Sequence, residues 1–482
     1  MTKNEKYVCI HGHFYQPPRE NPWTGTVDLQ ESAAPFHDWN ERVTAECYEP
    51  NAAARILDGA GNVRSIRNNY SMISFNFGPT LLSWMERERP DVYASILRAD
   101  AESRGRFLGH GGAIAQGYNH VIMPLANSRD KKTQVIWGIR DFRFRFGRDP
   151  EGMWLPEMAV DIETLEIMAA EGIDFTILAS HQALSYRETC GDWIDLPGGV
   201  IDTTVPYWCM LPSGSRIAIF FYDGRIAHDL AFGNLLDDGA GFAKRMIDAA
   251  PVTGNKENFS HAAVDGETFG HHHRFGDMAL AYCLETIEKN QEARLTVYGE
   301  FLEKYPPERD VEIVVNTSWS CSHGVERWRS DCGCRAGEHR EWNQKWRGPL
   351  REAFDGLREV LDPLFEREGA KFFADPWEAR DNYIGVLLEG RAPDMEERAL
   401  ELLEMQRNAM LMYTSCGWFF DDISRIETIQ VLRYSARAVE LAEKISGLQI
   451  EIPFLKALEK VPGNTLEIPD AGEVFKSITH NL

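Results

Sequence analysis

Short apolar runs that stop abruptly in polar and aromatic residues constrain this chain more than any other feature. Val8–His11, Met72–Phe77, Met153–Leu155, Phe175–Leu178, Ile217–Tyr222, His261–Val264 and Val311–Val315 have strand length and read as buried strands. Helical patterns such as Asp161–Glu171 and Asp277–Asn290 lie between them. Strands alternating with helices predict βα units and a parallel sheet. The runs end in His11-Gly12-His13, Pro156-Glu157, His181-Gln182, Asp223-Gly224-Arg225 and Asp265-Gly266-Glu267, none of which continues a core pattern. In a parallel barrel the C-terminal strand ends carry the active site, so these residues are the first candidates for chemistry.

After about residue 345 the pattern changes to long amphipathic helices. Leu350, Phe354, Leu357, Leu361 and Leu364 are spaced 4, 3, 4, 3, and Ile429, Leu432, Ala436 and Val439 are spaced 3, 4, 3. Each series draws one apolar stripe along a helix and predicts a helical bundle packed on the first domain. The period breaks at Tyr413–Asp422, an aromatic and acidic segment containing Trp418. It reads either as a wall of the barrel mouth or as a plain connection between helices.

The 482 residues carry 74 Asp and Glu against 51 Lys and Arg, a net charge of −23. Such a balance argues against nucleic acid and anionic membranes as partners, because both need a basic face. Met1–Lys6 is polar, no stretch approaches the roughly 20 apolar residues of a membrane helix, and the nine cysteines are an odd, scattered set. Free thiols in a reducing cytosol are the expectation, hence a cytoplasmic protein. Oligomeric state is left open.

Four constellations hold the residue types that do chemistry. In His11-Gly12-His13-Phe14-Tyr15-Gln16-Pro17 a turn at Gly12 would bring both imidazoles into one pocket, to bind metal or to donate to sugar hydroxyls. Met153-Trp154-Leu155-Pro156-Glu157 puts a carboxylate directly after an apolar strand. Ala262-Ala263-Val264-Asp265-Gly266-Glu267-Thr268-Phe269-Gly270-His271-His272-His273 adds two carboxylates and three imidazoles, a group too costly to bury without partners or a substrate. Glycoside cleavage needs a carboxyl pair flanking the scissile bond, one ionised and one protonated. Glu157 and Asp265 come from different strand ends and can converge in a barrel; Trp154, Phe269, Trp319 and Trp328 offer ring-stacking surfaces nearby. The fourth group is Cys321, His323, Cys332, Cys334 and His339. Its spacing, Cys-x10-Cys-x-Cys, is no standard zinc pattern, so free thiols and no metal are the expectation.

These motifs resemble glycoside hydrolase family 57, whose members act mainly on α-glucans with retention of configuration. His11–Pro17 is similar to the family's first motif, with two additional residues before Gln16-Pro17. Leu108–Leu125 is similar to the second, with His120 and Pro124 at its His and Pro. Gly152–Ala159 resembles the third, which implies Glu157 as nucleophile, and Asp265–His272 the fourth, which implies Asp265 as general acid/base. Asn316-Thr317-Ser318-Trp319 resembles the fifth, where a Trp serves substrate binding.

The resemblance implies an α/β fold, an incomplete (β/α)7 barrel over residues 1–340 and a helical domain over 341–482 packed at the barrel mouth. The expected activity is a retaining glycoside hydrolase or transglycosylase on an α-linked glucan or oligosaccharide, without a cofactor. His11, His13, Gln16, His120, Trp154, Glu267, Phe269, His271, Trp319, Trp328 and Trp418 are the expected substrate contacts. One rival is a metal-dependent polysaccharide deacetylase or α-mannosidase-like hydrolase using His11, His13 and Asp265; the other is a glycan-binding protein without turnover. Chelator sensitivity identifies the first, and binding without product the second.

Overall fold

The computed structural model describes residues 6–198, 200–250, 258–337, 339–390 and 395–480; most of the polar opening, Met1–Glu5, lies outside them. Parallel strands organise its first part: β1 (Lys6–Phe14), β2 (Ser74–Phe77), β3 (Ala115–Gln116), β4 (Met153–Trp154), β5 (Phe175–Ala179), β6 (Arg216–Tyr222) and β7 (Asn258–Asp265). β1 is buried along almost its whole length because it is sandwiched between two parallel neighbours. One ladder runs from Lys6↔Asn258 to His13↔Asp265, and the other from His11↔Ser74 to Phe14↔Phe77. β3 pairs with β4, and β5 with β6, again in parallel. The ladders fall into separate sheets of four, six, two and two strands among the described residues. Single bridges, Phe75↔Ala113 and Gly152↔Phe175, link β2 towards β3 and β4 to β5, and Asp223 N donates to His261 O at 3.0 Å just past the end of β6.

Helices return the chain between strands where the sequence supplies caps. Asp161 accepts from Thr164 N at 2.8 Å and starts Ile162–Ala170; Asp223 caps Gly224–Phe232 in the same way. The run Val311–Val315 behaves differently from the other predicted strands. Arg309–Ile313 pairs antiparallel with Ala183–Glu188 and touches Tyr207–Met210 in parallel, extending the sheet beyond β6. Its alternating burial, with Val311 and Ile313 buried and Glu312 exposed, is that of a strand covered on one face only.

From Arg347 onward the described elements are helices, the longest being Arg347–Gly369, Glu397–Leu411 and Ile426–Ser446. Leu350, Phe354, Leu357, Leu361 and Leu364 are all buried, as are Leu432, Ala436 and Val439, with Ile429 half-buried. One continuous cluster of buried side chains runs from β1 through Trp154 to Phe354, Trp418 and Phe475. Hence the C-terminal helices share a core with the α/β part. Among the described residues no helix is long and apolar enough to cross a membrane.

Candidate active site

β4 ends at Trp154, and the chain turns through Leu155 into a single tight turn, Pro156–Met158. Glu157 and Met158 there adopt left-handed backbone angles, φ 56° and 49°. Such angles cost a non-glycine residue about 1–3 kcal/mol and persist only where neighbours impose them. Trp319 N donates to Glu157 O at 3.0 Å and Met158 N to Leu155 O at 2.8 Å, fixing the turn. The turn delivers the carboxylate to two donors: Ser320 Oγ reaches Glu157 Oε2 at 2.5 Å and Trp319 Nε1 reaches the same oxygen at 3.1 Å. Burial raises the Glu157 pKa, while the Ser320 hydroxyl, the Arg327 guanidinium and the Trp319 indole act in the opposite direction.

Asp265 closes β7 beside His13 in the ladder. Its side chain is exposed into a cavity yet enclosed by the cavity walls, and this enclosure, followed by the charges of Glu267 and Glu157, holds its pKa well above the ordinary carboxylate range. Glu267, one short turn further, is buried and accepts from Tyr48 Oη and, at 3.0 Å, from Tyr15 N. Burial pushes it up to about 7 against the pull of those hydrogen bonds. The two groups proposed for chemistry therefore differ in surroundings: Glu157 is held by donors and a cation, Asp265 is faced by anions.

Glu157, Asp265 and Glu267 line one cavity of about 570 Å³. Of the expected substrate contacts, Gln16 and His271 line it too. Gln16 is held by Arg19 Nη2 at 2.9 Å, and His271 Nδ1 by Glu46. The opposite wall comes from the C-terminal helices: Cys416, Phe419, Phe420, Asp421 and Glu427. The segment 413–422 thus forms part of the cavity wall.

Other expected contacts are placed elsewhere. His11 is fully buried, with Nδ1 at 3.0 Å from Ser74 Oγ and Nε2 at 3.1 Å from Asn76 Oδ1. His13 lies within reach of Asn76 through Nδ1, and its Nε2 stands 3.2 Å from His120 Nε2, whose own Nδ1 meets Ser415 Oγ at 2.6 Å. Burial lowers the pKa of all three, so they sit behind the cavity as neutral rings joined to their neighbours. The indole of Trp154 is stacked against His11 and His13 at 4.9 and 4.8 Å, with no face left for a sugar. Phe269 and Trp328 are fully buried, and Trp418 points away from the mouth, stacked on Tyr413 with Arg351 over its ring. These residues support the site from behind, and Trp319 does so through its bond to Glu157. Polar or aromatic character at a strand end looks the same in sequence whether the partner is a ligand or a buried side chain.

Sequence reasoning missed Tyr15, Tyr48, Ser320 and Arg327. Tyr15 sits inside the first motif and Ser320 directly follows the fifth, so both were legible as candidates; Tyr48, in the π-helical turn Thr44–Tyr48, carries no local signal at all. The metal-ligand set suggested for the first rival is also unsupported: His11 and His13 are engaged with Ser74 and Asn76, and neither lines the cavity with Asp265. Cys321, His323, Cys332 and Cys334, by contrast, come together, their ligand atoms all within 4.8 Å of one another. His339 stands apart, stacked on Trp342 at 4.0 Å.

Carboxyl groups converging from parallel strand ends into one cavity define an α/β protein with an acidic, ligand-sized site. A family model described as glycosyl hydrolase family 57 matches residues 15–314, and the chain belongs to that family. A second model, a domain of unknown function (DUF3536), matches residues 342–481. Alpha-amylase 1 of Dictyoglomus thermophilum is 25% identical over 164 residues, 34% of this chain and 21% of the relative. A 4-alpha-glucanotransferase of Thermococcus litoralis is 22% identical over 245 residues, 49% of this chain and 33% of the relative. The chain spans about a third or less of these curated relatives. Among solved structures, an exo-type maltose-forming amylase from Pyrococcus sp. ST04 superposes with a TM-score of 0.70 at 15% identity, covering 99% of this chain and 88% of the other. A GH57-type branching enzyme from Pyrococcus horikoshii gives 0.58 at 17% identity, covering 99% and 96%. At these identities the likeness is one of fold.

Proposed function

We propose that the protein is a retaining glycoside hydrolase or transglycosylase acting on an α-linked glucan or oligosaccharide. The observation that carries this reading is the shared cavity of Glu157 and Asp265, with donors around the first and negative charge around the second. In this reading Glu157 attacks the anomeric carbon while Asp265 gives its proton to the leaving oxygen; Asp265 then removes a proton from water or an acceptor hydroxyl, which releases the glycosyl group from Glu157. Gln16, Glu267 and His271 are the contacts within reach of substrate hydroxyls. A neutral polymer is compatible with a chain of net charge −23. The parallel order β7-β1-β2-β3-β4-β5-β6, with the Asp223–His261 bond joining its ends, supports an incomplete (β/α)7 barrel over residues 1–340, with the helices of 341–482 forming a second domain at its mouth. All nine cysteines are unpaired, in keeping with a cytoplasmic setting.

The test is incubation with malto-oligosaccharides and glycogen, with products read by size and linkage. Glu157→Ala should lower turnover by at least about 10³-fold, and azide should restore part of it as the β-glycosyl azide, entering from the vacated face. Asp265→Ala with azide should instead give the α-azide. Wild-type levels of turnover in either variant, or reversed azide configurations, would remove the assignment.

A further inference from the structure

The loop that carries Ser320, the closest donor to Glu157, continues into Cys321, His323, Cys332 and Cys334. Among the described residues this is the one cluster with metal-ligand geometry. Cys321 Sγ and Cys334 Sγ stand 3.7 Å apart, and Cys334 Sγ and His323 Nδ1 3.6 Å. A tetrahedral zinc ion with bonds of about 2.3 Å to sulfur and about 2.0 Å to nitrogen sets its ligand atoms about 3.5–3.8 Å from one another. The two distances match that spacing, whereas a disulfide would need about 2.05 Å.

Two features resolve what made the spacing unpromising. An extended Cys-x-Cys would point both thiols to one side but hold their Cα atoms about 7 Å apart, whereas Gly333 between Cys332 and Cys334 has φ +80°, and an added Cβ there would meet nothing within 4 Å. That left-handed turn lets both sulfurs face one point, and Gly324, at φ +82°, turns the chain after His323. Charge provides an independent indication. Arg347 is fully buried and Arg327 nearly so, and among the described residues neither has a carboxylate within ion-pair distance. Their donors go to the carbonyls of Phe419, Phe420, Ser320 and Cys334, and Arg347 Nη1 also stands 3.9 Å from Cys332 Sγ. Glu157 acts on Arg327 and Asp421 on Arg347 only from beyond ion-pair distance, so two buried guanidinium groups gain from a further anion beside them. Zinc with three thiolates and one neutral imidazole carries a net charge of −1 and supplies one.

We propose that Cys321, His323, Cys332 and Cys334 form a structural zinc site that clamps the loop 320–337 between the nucleophile and the C-terminal helices. On binding, the three thiols release their protons to solvent and His323 offers the lone pair of Nδ1; no electron transfer is involved. All four positions are filled by protein, which is the mark of a structural rather than a catalytic zinc. The clamp acts at both ends: Ser320 stays on Glu157 Oε2, and Ala336 N and Gly337 N stay on Asp421, which lines the cavity.

The full-length protein purified without chelator or added metal should contain one zinc per chain by plasma mass spectrometry. Titration with a mercurial should release that zinc as the thiols are blocked. Replacement by cobalt should produce tetrahedral visible bands with a thiolate charge-transfer band. Cys321→Ser and Cys334→Ser should each lower zinc affinity by at least about 10-fold, while Cys190→Ser, in an exposed turn, should leave the content unchanged. Should the serine variants fail to fold, the mercurial and cobalt experiments on the wild type decide alone. Metal-free protein with freely titrating thiols after zinc is offered, a Cys321–Cys334 disulfide in non-reduced digests, or cobalt bound without a thiolate band would each overturn the proposal.

Discussion

Glu267 separates the demands of stability from those of function at the scale of a single side chain. Burial lifts its pKa from the ordinary 4.5 to about 7. A carboxyl raised in the folded state favours folding least where it must ionise, so stability is lost as pH rises from about 4.5 through 7. The loss amounts to about 3 kcal/mol once both states are ionised. Glu267→Gln keeps an acceptor for Tyr48 and Tyr15 without the charge. The variant should equal the wild type in stability near pH 4 and exceed it by up to about 3 kcal/mol at pH 8, measured by urea unfolding at both pH values. Removing the charge that faces Asp265 also lowers the Asp265 pKa. In the proposed mechanism loss of its proton sets the alkaline limb of kcat/KM, which should therefore move to lower pH. A wild type more stable than the variant at pH 8, or a limb that moves upward, contradicts this account. The identity of Asp265 and Glu267 as candidates was legible because both follow an apolar run; the pairing of Glu267 with Tyr48, 219 residues away, was not.

Among elements, the helix Ser128–Phe146 lies so close to β3 that one position admits no side chain. A Cβ on Gly138 would stand 2.1 Å from Gln116 O, a backbone atom that cannot swing aside. Intrinsic helix propensity favours Gly138→Ala by about 1 kcal/mol, but overpacking against a rigid strand costs about 1–3 kcal/mol or more. The net should be a loss of stability, seen as a lower denaturation midpoint; a higher midpoint would mean that the helix has room to move away. The displacement also reaches the site, since Gln116 Oε1 accepts from Asn76 Nδ2, which in turn meets His13. β3 and β4 are two residues each, too short for any periodicity to reveal, although Met153–Leu155 was marked as a strand by its apolar run. The helix beginning near Asp161, the stripe of Arg347–Gly369 and the break at 413–422 were legible because each is a local pattern. Within that break, the aromatic residues that reach the cavity are Phe419 and Phe420 while Trp418 turns inward, a one-residue difference that helix rotation decides.

For the molecule as a whole, the junction between the α/β part and the C-terminal helices holds a buried polar knot. Arg380, 1% exposed, donates to Asp130 Oδ1 at 2.8 Å, to Thr133 Oγ1 at 2.8 Å and to Gln406 Oε1 at 3.0 Å, joining three helices. Removing one member of a buried pair leaves the other charge poorly compensated and costs about 3–5 kcal/mol. Arg380→Met should lower stability by that amount, and activity should disappear together with near-ultraviolet circular dichroism along the denaturation curve. Activity that outlasts the loss of helical signal would show that the cavity does not depend on the C-terminal helices.

Strand ends, amphipathic stripes and an acidic surface are written in the sequence, because alternation between buried and exposed faces is local along the chain. They determined the α/β character, the position of the helical part and the two carboxylates proposed for chemistry. Only the tertiary structure decided that His11, His13, His120 and Trp154 stand behind the cavity, that Ser320 and Arg327 steady Glu157, and that four scattered cysteine and histidine side chains meet at one point. Those outcomes depend on contacts between residues distant in the chain, and a polar side chain at a strand end has the same local signature whether packing turns it towards a ligand or towards another side chain.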